Sequence, residues 1–141
     1  MIVPDVNLLV FTYHRQSPYY QAARHWWEGL VNGTETIGLP WAVSIGFVRL
    51  MANPRVLVSP MSPSEALERV ESWFQFSHVQ PIDPGPEHLT HMQVILDATT
   101  GGANLVADAH IAALAIEHQA VLHSYDSDFG RFPGLQWYNP L

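Results

Sequence analysis

Five short apolar runs, at residues 2–4, 36–39, 79–82, 121–124 and 136–138, punctuate the chain, and stretches with a helical repeat separate the first four. Strands spaced this far apart cannot be joined as tight hairpins; helical crossovers of a dozen residues or more connect parallel strands. The pattern predicts an α/β fold, a parallel sheet with helices on both faces. The punctuation between the runs agrees. Residues 7–13 fit a brief helix, and Ser17-Pro18 reads as the N-cap and first-turn proline of a helix reaching residue 30. Pro40 opens a helix to about residue 52, which Asn53-Pro54 stops. Ser62-Pro63-Ser64-Glu65 matches a capping box, and Ala66, Leu67, Val70, Trp73 and Phe74 follow it at helical spacing. Two more helices are expected over 87–98, ended by Thr99-Thr100-Gly101-Gly102, and over 105–118. A length of 141 residues predicts one domain, residues 1–141, and one core.

Charge narrows the chemistry. Thirteen acids face six bases, every base is arginine, and lysine is absent. A P-loop needs a lysine on its phosphates, so that class of nucleotide hydrolysis is excluded. Receiver domains and aspartate-nucleophile phosphatases also set acids beside a parallel sheet, but they normally use a lysine too and fit poorly. A net charge of −7 opposes contact with nucleic-acid phosphates unless some of the acids hold divalent cations. Without cysteine there is neither a disulfide nor a thiolate zinc site. The start, MIVPDVNLLVF, has no basic leader and carries Asp5 inside its apolar run, and no apolar stretch is long enough to span a bilayer. A soluble cytoplasmic protein without a membrane partner is expected.

The acids fall where an α/β sheet builds its sites, outside the carboxyl ends of the strands. Asp5 ends the first strand, while Asp126 and Asp128, in LHSYDSDFGRF, follow the fourth; Asp108 begins the helix that leads into that fourth strand. Taken singly, each fits a helix cap or a turn. Taken together they pose a Coulombic problem, because two carboxylates about 4 Å apart repel by about 4 kcal/mol at an effective dielectric near 20. Six scattered arginines do not neutralise four such groups, so either some acids are protonated or cations sit among them. Hard oxygen ligands select magnesium or manganese, and such ions activate water against phosphodiesters.

The ordered set PDVNLLV, LPWAVSIGFVRLMANPRV, NLVADAHIAALAIEH and LHSYDSDFGRFPGLQWYNP resembles the PIN-domain ribonucleases of the VapC toxin type, over residues 1–141. The resemblance implies a three-layer α/β/α domain with a five-stranded parallel sheet in the order 3-2-1-4-5. It also implies Mg2+ or Mn2+, endonucleolytic cleavage of RNA, a cognate VapB-type antitoxin, and a homodimer; a metal-activated water attacking the scissile phosphate would leave a 5′-phosphate and a 3′-hydroxyl. By position, Asp5, Asp108 and Asp126 match the family's catalytic metal-site acids, and Asp128 matches a further acid that many members carry. Asn7 and Ser124 match polar positions that orient the ligands or their water. One position departs: where the family usually places glutamate, in a pattern like EFxR, this chain reads Gly46-Phe47-Val48-Arg49. The expectation is an active enzyme with fewer protein ligands; the alternative is a catalytically attenuated PIN-like module that binds RNA or protein.

Arg49, Arg55 and Arg131 flank these motifs, as substrate-phosphate contacts or as structural ion pairs. His88 and His91 stand three apart on one helix, a spacing two metal ligands can use, but with no acid or third histidine seen beside them they read as a solvent-facing pair. His110 reads as a surface or helix-packing residue. Trp26 and Trp27 point about 100° apart on their helix. That leaves either one facing inward while the other borders a groove for an antitoxin helix, or core packing for both along with Tyr19 and Tyr20.

Overall fold

The computed structural model describes residues 1–141. Five strands, β1 (Ile2–Pro4), β2 (Ile37–Pro40), β3 (Val79–Ile82), β4 (Val121–His123) and β5 (Gln136–Tyr138), pair in parallel in the order β3-β2-β1-β4-β5. Helices α1 (Val6–Tyr13) and α2 (Tyr20–Val31) follow β1, and α3 (Trp41–Met51) and α4 (Pro63–Trp73) follow β2. Helices α5 (His88–Asp97) and α6 (Val106–Glu117) follow β3. The strand order matches the one the resemblance implied.

This order dictates the layers. From β1 to β3 the sheet grows in one direction, and the crossover to β4 returns past β2 and β1. Right-handed crossovers then put α1 to α4 on one face and α5 and α6 on the other. The packing follows: α1 rests on α2 and α3, α3 on α4, and α5 on α6. All four residues of the inner strand β2 are buried, while the edge strand β3 is buried only at its two ends. Pro81 sits in that edge strand, where no neighbour needs its missing N–H. No helix is long and apolar enough to cross a membrane.

Local chemistry sets the element ends. Ser62 Oγ accepts the Glu65 N–H at 3.1 Å and Glu65 Oε2 accepts the Ser62 N–H at 3.4 Å, the reciprocal box read from the sequence. The Ser17-Pro18 expectation needs correction, because α2 begins only at Tyr20. Ser17 Oγ accepts the Tyr19 N–H at 3.1 Å, two residues on, and closes a turn instead of capping a helix. The fourth strand ends at His123, one residue early, which leaves Ser124 at the rim. A 3-10 turn, Gly102–Leu105, leads into α6.

Two features carry the site. Pro4 of β1 lies opposite His123 of β4, so Asp5 and Ser124 leave the sheet side by side although they are far apart in sequence. Helix α6 is buried on nearly every side through Ala109, Ile111, Ala112, Ala113, Leu114 and Ala115, packed against α5 and β4. Its first turn, with Asp108, is thereby fixed.

Candidate active site

Asp5 leaves β1 buried, at 8% exposure, and does two things at once. Its Oδ1 accepts the Val6 N–H at 2.7 Å as the cap of α1, and its Oδ2 accepts the Ser124 hydroxyl at 2.7 Å. The cap role and the site role, alternatives in the sequence, coexist. Burial pushes the Asp5 carboxyl above its ordinary range; the bonds from Ser124 and Val6 oppose that shift, and the nearby charge of Asp126 adds to it.

Ser124 is the hub. Its fully buried hydroxyl donates to Asp5 and accepts from Asn7 Nδ2 at 3.2 Å and from the Asp126 N–H at 3.0 Å. A hydroxyl has one donor and two acceptor sites, and all three are used, so its orientation is fixed. Asn7 Oδ1 accepts the Tyr125 N–H at 3.5 Å, which ties α1 to the exit of β4. Asp126 caps the 3-10 turn Ser127–Arg131, with its Oδ1 accepting the Asp128 N–H at 2.8 Å. Asp128 is exposed and pairs with Arg131 at 3.2 Å.

Asp108 completes the set from the other face of the sheet. Its carboxyl is pushed up to about 6, first by burial and then by the charges of Asp5, Asp126 and Asp128. The four acids predicted from the sequence thus act on one another across three segments. Arg131 is the one arginine ion-paired within the group. The donors are all hard oxygen, and no three His, Asp or Glu side chains are gathered closely enough to hold a metal ion by themselves. Such a donor set fits a cation that takes few carboxylates and keeps most of its water, which is the habit of magnesium.

Gly46 lies in the middle of α3, where a Cβ would meet Val6 Cγ2 at 3.5 Å, an ordinary contact. It faces the residue that follows Asp5 and offers no ligand there. Arg49 occupies the last turn of α3 and Arg55 the loop beyond; both are exposed and neither is ion-paired. Of the three arginines, only Arg131 is joined to the acids, through Asp128.

The reading of His88 and His91 as a solvent-facing pair is wrong for His88, which is buried at 7% exposure. Its Nδ1 lies 2.8 Å from Glu117 Oε2 and its Nε2 lies 2.8 Å from His110 Nδ1. The acid and the second histidine come from α6, and spacing along α5 alone could not reveal them. His110 is accordingly a helix-packing residue. Trp27 packs inward, at 4% exposure, against Trp73. Trp26 is half-buried and its indole N–H donates to His123 Nδ1 at 3.0 Å, so that nitrogen must be unprotonated. Burial holds the His123 imidazole down at about 4, in keeping with a neutral ring. Sequence reasoning passed over Glu117 and Tyr125; the position of Tyr125 between two site residues was the available signal for the latter.

The comparisons with known proteins bear on this geometry. The PIN domain matches residues 2–135. The chain is 37% identical to ribonuclease VapC33 of Mycobacterium tuberculosis over 141 residues, covering 100% of this chain and 99% of that protein. It is 34% identical to ribonuclease VapC37 of the same organism, covering 99% and 97%. Among solved structures, DNA-bound VapBC from Salmonella typhimurium superposes with a TM-score of 0.68 at 18% identity, over 99% of this chain and 98% of that one. FitAcB from Neisseria gonorrhoeae gives 0.67 at 22%, with the same coverage. At these identities the structural likeness is one of fold. Sheet order, the position of the acids at the strand ends and full-length sequence similarity lead to one assignment: the chain belongs to the PIN-domain family.

Proposed function

We propose that the protein is an endoribonuclease, the toxin of a VapBC-type toxin-antitoxin pair, which hydrolyses RNA phosphodiesters with a divalent cation held among Asp5, Asp108, Asp126 and Asp128. The observation that carries this reading is the gathering of Asp5, Asp126 and Asp128 around the half-buried Asp108, whose carboxyl is raised first by burial and then by their charges, with only one arginine ion-paired among the four. A cluster of that kind is stabilised by a divalent cation. The full-length likeness to proteins named VapC ribonucleases supports the same activity. When bound, Mg2+ or Mn2+ supplies Lewis acidity toward a phosphoryl oxygen and lowers the pKa of water.

The chain's own residues prepare that chemistry. Ser124 holds the Asp5 carboxylate and the Asp126 backbone in one frame, and Asn7 braces both Ser124 and the Tyr125 backbone. Burial of Asp5 keeps bulk water from its inner edge. Arg131, tethered by Asp128, is the arginine best placed to meet a phosphate, and binding there exchanges one anion for another. The partner is a VapB-type antitoxin. An exposed apolar face on α3 and α4, with Trp41 at 49%, Ile45 at 65% and Leu67 at 57%, supports a helical partner or a second copy in a homodimer.

Gly46 favours a second reading, a weakly catalytic module that binds RNA or protein, because the position offers no carboxylate. Cleavage of a broad RNA panel with magnesium or manganese by antitoxin-free protein, set against Asp5→Asn and Asp126→Asn, separates the two. The wild type is expected to produce 5′-phosphate ends, and both variants to lose at least about a hundredfold in rate, the scale for a lost electrostatic contact in a transition state. Equal activity in all three would sink the nuclease reading.

A further inference from the structure

Tyr125 stands between Ser124 and Asp126, inside the hydrogen-bonded frame of the site, yet its side chain is 37% exposed. Its ring is 4.5 Å from that of Tyr19 and meets Phe11 edge-on at 5.7 Å, and Phe11 and Tyr19 lie 5.0 Å apart. The hydroxyls of Tyr19 and Tyr125 are hydrogen-bonded to each other. These three rings come from α1, the turn before α2 and the exit of β4. Phe11 lies one helical turn from Asn7, so a single face of α1 supports both the backbone and the ring of Tyr125.

This aromatic group is not part of the core. None of the three belongs to the buried cluster or to the half-buried residues packed against it, where Tyr13, Trp26 and Trp137 are found. It forms a separate aromatic surface beside the acids.

Charge explains what such a surface is for. Phosphate contacts usually dominate nucleic-acid affinity, but this chain has no lysine, a net charge of −7, and near its acids one arginine already paired with Asp128. A nucleobase face carries no charge and is indifferent to the acids, and one stacked base strengthens binding by about five- to a hundredfold. Resting on the nuclease reading, we infer that Tyr125, supported by Tyr19 and Phe11, is a stacking platform for an unpaired base adjoining the scissile phosphate. Such a platform takes a base in a single strand or an open loop, since bases within a duplex are already stacked on one another.

The test uses short single-stranded oligoribonucleotides carrying 2-aminopurine, and the same strands annealed to their complements, with an Asp108→Asn background to keep the RNA intact. The parent is expected to quench 2-aminopurine and to prefer the single strand. Its affinity should fall with salt at a logarithmic slope no steeper than about −1, as for one phosphate contact. Tyr125→Ala should weaken binding about five- to a hundredfold and abolish the quench, whereas Tyr125→Phe keeps the ring and most of the affinity. In the active protein, Tyr125→Ala should raise KM while Tyr125→Phe restores it. Should Tyr125→Ala lower the melting temperature, Tyr19→Ala removes the supporting ring instead and should weaken binding in the same direction. Unchanged affinity and quench in Tyr125→Ala, or equal binding of duplex, overturns the platform and leaves the nuclease standing on its cleavage assay. A parent that neither binds nor cuts any strand overturns both.

Discussion

A single hydroxyl does more in this site than any carboxylate. Replacing Ser124 with alanine removes the donor to Asp5 Oδ2 and strands the Asn7 amide and the Asp126 N–H around a buried point. Chemical denaturation of Ser124→Ala should show a loss of about 1–3 kcal/mol, the cost of leaving buried polar groups unsatisfied. Asp108 gives the opposite sign. Its folded-state carboxyl sits at about 6 against an ordinary 3.8, so the native state holds that proton more tightly than the unfolded chain does. Below about pH 4 both states are protonated and the site costs nothing. As pH rises from about 4 to 6, the unfolded chain ionises first and the cation-free native state loses stability; above about 6 that loss stays constant. Asp108→Asn should therefore match the wild type in thermal melts at pH 4, exceed it at pH 7 to 8, and have lost nuclease activity. The strand-end positions of Asp5, Asp126 and Asp128 were legible in the sequence, whereas Asp108, in the first turn of α6, needed the fold to bring it beside them. Tyr125 was not legible, because an aromatic residue beside a strand reads as packing until its neighbours in space are known.

At the scale of elements, Gly46 sits in the interior of α3, where glycine costs about 0.5–1 kcal/mol relative to alanine. A Cβ there would meet only the Val6 side chain, at 3.5 Å from Cγ2, so Gly46→Ala should stabilise the protein by about that amount in denaturant titrations. Gly46→Glu returns a carboxylate to the face beside Asp5 and should lower the magnesium concentration needed for half-maximal cleavage. If it slows cleavage at every magnesium concentration, the position is not a vacant ligand seat. Helix boundaries were legible wherever the capping chemistry was local, as at Ser62, and were misread where a side chain had two local choices, as at Ser17. The contact of His88 with Glu117 lay beyond sequence reading for a different reason: it joins α5 to α6, and no periodicity within one helix reports what a second helix brings.

For the molecule as a whole, the alternation of apolar runs and helical repeats was enough to specify a parallel sheet, while the strand order came from resemblance. A lysine-free chain with four clustered acids should be stabilised by the ion it holds. Magnesium at a hundred times its dissociation constant should add about 2.7 kcal/mol to unfolding free energy, seen as a higher melting temperature for wild type at neutral pH and removed by chelation. Asp5→Asn should blunt that rise. A wild type indifferent to both magnesium and manganese would contradict a cation among the acids.

The central pair of strands, β1 and β4, joins the opening of the chain to its last quarter, and the Ser124–Asp5 hydrogen bond spans a sequence separation of 119 residues. The two halves of the centre can therefore meet only after residue 124 has left the ribosome. Fragments that stop before residue 126 carry Asp5 without Asp126 and Asp128, so none of them holds the full set of acids.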